Sequence, residues 1–212
     1  PLLPQQQPRE RLARRGVPRE KVTVIVNAPD ERLVAMGRRP DIVARARDMR
    51  RELGAAGAQR LVCHGTIERR YGIDLVVRAV ARLVGDFPRL QFHLMGNGDY
   101  VDELLALAER LGVGSNVRYL GFVPLDRMVA ELLAADLAVV PMRRNAYADL
   151  VHTNKMFEYL AFERPVIASR LDAVLAYFPS DSLLYFEPDD DADLAERLRY
   201  GLTHPGEMQQ RV

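Results

Sequence analysis

The feature that most limits the fold of this chain is a regular alternation of short apolar runs with stretches of helical composition. Parallel strands need long connections and are covered on both faces, so they appear as short apolar runs separated by helices. The predicted strands are 61–64, 90–95, 117–120, 137–140, 166–168 and 183–186. The helices predicted after them are 74–83, 101–111, 128–135, 154–162 and 191–202. This order predicts an α/β fold with a doubly wound, six-stranded, Rossmann-like parallel sheet.

The N-terminal part of the chain does not follow this alternation. Residues 1–20 are rich in Pro, Gln and Arg, which predicts a linker or a frayed helix. Residues 22–26 predict a short strand, and residues 41–53 have helix-forming composition with a weak apolar stripe. We therefore expect residues 1–57 to be an interdomain linker or N-terminal extension, and residues 58–212 to be the Rossmann-like domain.

Composition narrows the class of partner. The formal net charge is +1, so bulk electrostatics does not favour binding to nucleic acid or to an anionic membrane surface. No apolar stretch approaches the roughly 18 residues that a membrane-spanning helix needs. The single cysteine, Cys63, lies in an apolar run and cannot form an internal disulfide, which fits a reducing compartment. Because the chain starts at Pro1 rather than at Met, we expect a fragment or a processed product.

The strongest local signal lies at the start of the helix predicted over residues 154–162. Thr153 and Asn154 are residue types that favour helix N-caps. Lys155 and Glu158 lie about 60° apart on one helix face. A lysine in the first turn opposes the helix dipole unless an anion binds there. Lys155 therefore predicts a phosphate site, with Glu158 placed to bind a ribose diol. The alternative is a surface ion pair between the two side chains.

Two glycine-containing loops follow the first two strands of the predicted sheet, at the edge where doubly wound sheets bind ligands. In residues 65–72 the terminal glycines allow a close approach to a ligand, and Arg69 and Arg70 are placed to bind phosphate. A polar loop with solvated arginines is the alternative. The turn at residues 96–98 lacks the third glycine of a dinucleotide fingerprint and follows the second strand. A plain turn that opens a helix explains it equally well.

Other candidate ligands have simpler explanations. Residues 189–191 are consecutive aspartates that suggest a divalent metal, but their position before the last predicted helix favours helix capping. The histidines do not have the spacing of metal ligands. We expect His64 and His93 to be packed side chains, and we retain His152 as a candidate sugar contact.

Taken in order, these motifs resemble the donor-binding C-terminal domain of glycosyltransferase family 4, a retaining family with the GT-B architecture. The motifs are His64-Gly65-Thr66-Ile67 with Gly72 and Asp74, Gly96-Asn97-Gly98, Val117 with Gly121-Phe122-Val123, Ala135-Asp136-Leu137 with Pro141, Lys155-Met156-Phe157-Glu158-Tyr159-Leu160-Ala161 and Pro165-Val166-Ile167-Ala168-Ser169. The resemblance implies that the chain is one half of a GT-B fold. Residues 11–30 resemble the segment that joins the two halves.

The resemblance also implies a site for a nucleoside-diphosphate sugar, which is the donor substrate. The implied donor-binding residues are Gly65, Thr66, Arg70, Asn97, Val123, Asn154, Lys155 and Glu158. Neither a cofactor nor a metal is implied, because the family stabilises the departing diphosphate with protein cations and a helix N-terminus. Glu158 matches the second glutamate of the family's pair, which binds the ribose hydroxyls. Val123 belongs to the stretch beside the nucleobase.

Three positions depart from the family pattern. Leu150 occupies the place of the first glutamate of the pair, which contacts the donor sugar. Thr66 and Tyr71 fall where the family has an arginine and, nearby, a lysine. We therefore expect Arg70 and Lys155 to supply the charge that binds the phosphates.

The function implied is donor binding in a retaining glycosyltransferase that moves a hexose-type sugar to an acceptor. An N-terminal domain absent from this chain would hold that acceptor, so we expect the chain alone to be inactive. We expect a cytoplasmic location, with peripheral association at the inner membrane face if the acceptor is membrane-associated, and no nucleic-acid partner. The alternatives are a catalytically silent nucleotide-binding or regulatory module of the same fold, and half of a sugar-nucleotide 2-epimerase. A Rossmann oxidoreductase is disfavoured, because no glycine fingerprint follows the first strand.

Overall fold

A computed structural model describes residues 6–23, 27–148, 153–179 and 181–212. Its strands are β1 (Arg60–His64), β2 (Gln91–Met95), β3 (Val117–Gly121), β4 (Leu137–Val140), β5 (Val166–Ser169) and β6 (Leu184–Phe186). They form one six-stranded sheet in the order β3-β2-β1-β4-β5-β6, and every pairing is parallel. The predicted doubly wound α/β sheet is therefore confirmed.

The helices connect the strands as the alternation predicted. They are α1 (Gln6–Arg14), α2 (Glu31–Met36), α3 (Pro40–Ala56), α4 (Ile73–Leu83), α5 (Val101–Arg110), α6 (Leu125–Ala134), α7 (Asn154–Ala161), α8 (Asp172–Leu175), α9 (Asp191–Thr203) and α10 (Pro205–Gln209). Helices α2, α8 and α10 were not predicted, because helices this short do not repeat an apolar stripe often enough to be recognised. The strand predicted at residues 22–26 falls mainly on residues 24–26, which lie outside the described residues.

Apolar side chains cover both faces of the sheet. On one face, Leu61 and Phe92 belong to a core shared with α4, α5 and α9. On the other face, Val62 and Val140 belong to a core shared with α3, α6 and α7. All five residues of the central strand β1 are buried. Burial on both faces explains why the strands appear in the sequence as continuous apolar runs.

Backbone contacts join the loops that follow β1, β2 and β4. Gly72 has a φ of +63°, and a Cβ placed on it would lie 2.0 Å from the carbonyl oxygen of Pro141. Gly96 has a φ of +128°, and its Cβ would lie 1.9 Å from the carbonyl oxygen of Gly65. Only glycine fits such contacts. These two glycines thus hold the loops at the carboxyl edge of the sheet against one another.

Candidate functional site

A cleft of about 880 Å³ opens at the carboxyl ends of β1 and β4. Its lining residues are Asn27, Asp30, Arg32, Leu33, Met36, His64, Gly65, Thr66, Tyr71, Leu125, Met128, Tyr147, Thr153, Asn154, Lys155 and Glu158. Of the residues predicted to bind the donor, Gly65, Thr66, Asn154, Lys155 and Glu158 belong to this lining. The structure therefore brings together the loop after β1 and the first turns of α7, as the sequence predicted.

Lys155 lies at the N-terminus of α7, where the helix begins as predicted. Its ammonium nitrogen is 5.0 Å from the centre of the Tyr71 ring. A Cβ placed on Gly65 would be 3.2 Å from the Lys155 Cε atom, so the lysine crosses the backbone of the β1 loop closely. Among the described residues, no carboxylate lies within ion-pair distance of Lys155. The alternative ion pair between Lys155 and Glu158 is therefore not formed.

Glu158 is bound by a histidine. The His64 Nε2 atom is 2.7 Å from Glu158 Oε2, and His64 Nδ1 is 2.9 Å from the Tyr159 hydroxyl. The side chains of His64 and Glu158 are 8% and 17% exposed. Tyr159 is fully buried, and this burial raises the pKa of its hydroxyl well above the ordinary value. His64 was expected to be a packed side chain. It is packed, and at the cleft wall it also contacts Glu158, the residue predicted to bind the ribose.

Three predicted donor-binding residues do not line the cleft. Arg70 pairs with Glu68 at 2.8 Å, and its guanidinium lies 5.2 Å from the Tyr71 ring centre. Asn97 is exposed and accepts a hydrogen bond at its backbone oxygen from Ile67, as a turn residue would. Val123 is buried in the core, with 8% of its surface exposed. Their donor contacts remain predictions.

The segment around α2 forms a wall of the cleft that the sequence did not indicate. Leu33 and Met36 project from α2 into the lining. Asp30 caps this helix by accepting a hydrogen bond from the backbone N–H of Arg32 at 2.9 Å, and this bond lowers the pKa of Asp30. An aspartate before a short apolar stretch was the available signal. Part of the region predicted to be a linker thus contributes to the cleft.

Two aromatic residues at the cleft were also missed as site residues. The Arg70 guanidinium lies close to both rings, 5.2 Å from the centre of the Tyr71 ring and 5.4 Å from that of Tyr147. Asn145 holds Tyr147 in place by accepting its backbone N–H at 3.0 Å. Isolated tyrosines in polar loops carry no periodic signal, so their position depends on the tertiary fold.

The loop after β4 is fixed by ion pairs. Arg143 donates to Asp74 at 2.5 Å and to Asp189 at 2.6 Å. Burial lowers the pKa of Arg143, but the hydrogen bonds and charges of the two aspartates raise it overall. One arginine therefore connects this loop to the first turn of α4 and to the segment before α9.

Of the aspartates at residues 189–191, Asp190 caps helix α9, as predicted. Asp190 accepts hydrogen bonds from the N–H groups of Ala192 and Asp193, both at 2.9 Å. Within the described part of the chain, no cluster of three or more His, Cys, Asp or Glu residues has the geometry of a metal site. His152 and Leu150 lie outside the described residues, so their predicted roles have no structural account here.

Comparison with known proteins identifies the family. Residues 58–204 match the family described as "Glycosyl transferases group 1". The chain belongs to this family. The match includes β1, the loop that follows it and all of α7, so the cleft residues on these elements belong to the family's domain.

Two curated relatives illustrate the similarity. The GDP-mannose-dependent alpha-(1-6)-phosphatidylinositol monomannoside mannosyltransferase of Mycolicibacterium smegmatis is 32% identical over 133 residues, covering 62% of this chain and 35% of that enzyme. The D-inositol 3-phosphate glycosyltransferase of Corynebacterium jeikeium is 28% identical over 158 residues, covering 70% and 36%. The chain thus spans about a third of the length of these relatives.

Solved structures support the GT-B-type fold. Anabaena HepE in complex with UDP matches with a TM-score of 0.73 at 19% identity, over 97% of this chain and 54% of that one. WaaG, a glycosyltransferase involved in lipopolysaccharide biosynthesis, matches with a TM-score of 0.73 at 21% identity, over 92% and 51%. In the described part of the chain, no helix has the length and apolar character needed to cross a membrane.

Proposed function

We propose that this chain is the donor-binding half of a retaining glycosyltransferase that transfers a hexose-type sugar from a nucleoside diphosphate. The observation that carries the proposal is Lys155, a cleft cation at the N-terminus of α7 without a carboxylate partner among the described residues. Residues 58–212 form the donor domain in this proposal, and residues 1–57 lead to the other half.

The diphosphate binds at the first turn of α7. That turn contains no acidic residue, and the N-cap residue Thr153 makes no side-chain capping hydrogen bond. The N–H groups of Asn154, Lys155 and Met156 have no partners within the helix, and among the described residues they are left for a ligand. Together with the Lys155 ammonium they provide charge-assisted hydrogen bonds to phosphate oxygens. These bonds strengthen as negative charge develops on the leaving diphosphate.

The nucleoside binds next to Glu158, one turn deeper on the same helix face. Glu158 Oε2 is bound to His64, while Oε1 has no hydrogen-bond donor among the described residues. A carboxylate has about four lone-pair positions, so Glu158 retains acceptors for the two hydroxyls of a ribose. The complex of Anabaena HepE with UDP supports a nucleoside-diphosphate ligand for this fold.

The acceptor belongs to the other half of the enzyme. Relatives that are about three times as long as the matched segment include enzymes named for phosphatidylinositol mannoside and inositol phosphate acceptors. We therefore propose an acceptor held by an N-terminal domain, with the protein in the cytoplasm and a membrane-associated acceptor at the inner face. The diphosphate charge is assigned to Lys155 and α7 rather than to a metal, and this chain alone transfers no sugar.

Calorimetric titration with UDP, GDP and ADP tests this proposal. We expect at least one of them to bind, and Lys155→Ala to weaken it by about tenfold or more, because a charge-assisted hydrogen bond is lost. Glu158→Ala should weaken the same nucleotide while leaving pyrophosphate binding intact, because pyrophosphate has no ribose.

The matched controls are Lys21→Ala and Glu196→Ala. Both side chains belong to exposed residues outside the cleft lining, so neither change should alter nucleotide affinity. If no nucleotide binds the parent chain, or if Lys155→Ala and Lys21→Ala bind equally well, the donor site has been assigned wrongly.

A further inference from the structure

Three side chains form a continuous hydrogen-bonded chain beneath the cleft. The Tyr159 hydroxyl, the His64 ring and the Glu158 carboxylate are linked at 2.9 and 2.7 Å. Tyr159 also receives the backbone N–H of His64 at 3.2 Å. The chain connects the last residue of β1 to two consecutive residues of α7, and it leads from the core to the cleft wall.

The hydrogen positions in this chain follow from its two ends. An ionised Glu158 can only accept, so His64 Nε2 must carry a hydrogen and donate it to Oε2. In a neutral imidazole the other nitrogen, Nδ1, is then an acceptor. The Tyr159 oxygen already accepts from the backbone of His64, which leaves its own hydrogen to donate to Nδ1. All polar atoms of the His64 ring are thereby satisfied.

The hydrogen bond from His64 also keeps the carboxylate of Glu158 apart from the ammonium of Lys155. Lys155 and Glu158 are three residues apart on one helix face, where side chains of opposite charge commonly pair. In the described part of the chain, Lys155 and Glu158 do not form this ion pair, and the Glu158 carboxylate is bound to His64 instead. Were Glu158 to turn toward Lys155, it would neutralise the ammonium and move away from the nucleoside.

We propose that His64 is a positioning residue that holds Glu158 toward the ribose of the donor and away from Lys155. The inference rests on the proposed function and deepens it. A carboxylate held in place before binding loses less side-chain freedom when the ligand arrives, so the interaction is stronger. Because Tyr159 fixes the histidine tautomer, His64 donates from Nε2 at the position that Glu158 requires.

The test compares the tightest binder among UDP, GDP and ADP with its 2′,3′-dideoxy counterpart. The ratio of the two affinities measures recognition of the ribose diol, and it does not depend on the fraction of protein that is folded. His64→Gln keeps a donor close to the position of Nε2, whereas His64→Asn keeps a polar atom only near Nδ1. We expect the parent to prefer the ribonucleotide by about tenfold. His64→Gln should keep most of this preference, and His64→Asn should lose it.

Each other outcome contradicts the inference in a recognisable way. A His64→Asn variant with the parent's ratio would show that His64 does not position Glu158. Loss of the ratio in both variants would assign the effect to packing of the ring. Equal binding of both nucleotides by the parent chain would show that the protein does not recognise the ribose diol. A parent that binds neither would instead refute the proposed function.

Discussion

His93, Glu131 and Arg60 form a buried group of charged and titratable side chains beneath the sheet, apart from the cleft. His93 Nδ1 and Arg60 Nη1 lie 2.9 and 2.8 Å from the same oxygen of Glu131, and all three residues are less than a tenth exposed. Burial lowers the pKa of His93 below its ordinary value of 6.5, although the hydrogen bond to Glu131 opposes this. Burial by itself would raise the pKa of Glu131, but His93 and Arg60 lower it overall.

These directions predict how stability depends on pH. Since the pKa of His93 is depressed in the folded chain, the unfolded chain binds a proton near pH 6.5 that the folded chain does not. The free energy of unfolding should therefore decrease as the pH falls below 6.5. Glu131, whose pKa is lowered from 4.5, causes a further decrease in the free energy of unfolding only at more acidic pH. Denaturant unfolding at a series of pH values measures both effects.

The His93→Gln variant isolates the histidine contribution. Glutamine does not titrate, so the pH dependence between about pH 7 and pH 5 should become flatter than in the parent chain. His204→Gln is the control, because His204 is exposed on the surface. Equal slopes for the parent and His93→Gln would contradict the argument.

At the scale of elements, the loops at the carboxyl edge of the sheet are held by contacts between backbones. Gly72 ends the β1 loop against Pro141 in the loop that follows β4. Arg143, two residues after Pro141, adds the ion pair to Asp74 in the first turn of α4. The Lys155 side chain lies over Gly65 at the start of the same β1 loop. The cleft therefore depends on how closely these loops approach one another.

Two glycine substitutions distinguish the effect of the contact between Gly72 and Pro141 from the effect of ordinary backbone strain. Gly72→Ala and Gly112→Ala both place a side chain at positive φ, +63° and +72°, but only at Gly72 would the Cβ meet another atom. We expect Gly112→Ala to cost about 1–2 kcal/mol from strain alone. Gly72→Ala should cost distinctly more and should also weaken nucleotide binding. Thermal unfolding and titration measure the two effects, and equal stability losses would show that the contact with Pro141 is unimportant.

At the scale of the whole molecule, helices α2 and α3 of the N-terminal region pack onto the helices that cover the sheet. Ile42 and Ala46 of α3 are buried in the core that also contains α6, and Leu53 of the same helix is buried as well. Leu33 of α2 is buried there too, and its helix forms a wall of the cleft. Residues from the predicted linker region thus contribute both to the core and to the candidate site.

Truncation tests where the folding unit begins. Removing residues 1–57 takes away three buried large apolar side chains, Leu33, Ile42 and Leu53, which contribute about 1.5–3 kcal/mol each, so the remainder should be destabilised by roughly 5 kcal/mol or more. That loss is comparable to the whole stability of an average domain. Removing only residues 1–26 keeps α2 and α3 and should leave the cooperative unfolding transition in place. A stable 58–212 fragment would support the predicted boundary and contradict the importance of the α3 contact.

Several features of this chain could be predicted without its structure. The succession of strands and helices along the chain follows from local patterns, because apolar periodicity and segment length determine whether a segment forms a strand or a helix. The start of α7 could be predicted for the same reason, since Thr153 and Asn154 favour an N-cap. Lys155 could be proposed as a phosphate ligand because the dipole of its own helix makes that position unfavourable without an anion.

Contacts between distant segments could not be predicted in this way. Sequence spacing allowed Glu158 to pair with Lys155, yet the carboxylate binds His64, which is 94 residues away in the chain. Arg70 was a plausible phosphate ligand, but it pairs with Glu68 and lies outside the cleft lining. Such choices depend on how β1, α7 and the intervening loops pack together. Local residue patterns thus predicted the elements and the edge of the sheet where the cleft lies, whereas three-dimensional packing selected which side chains meet there.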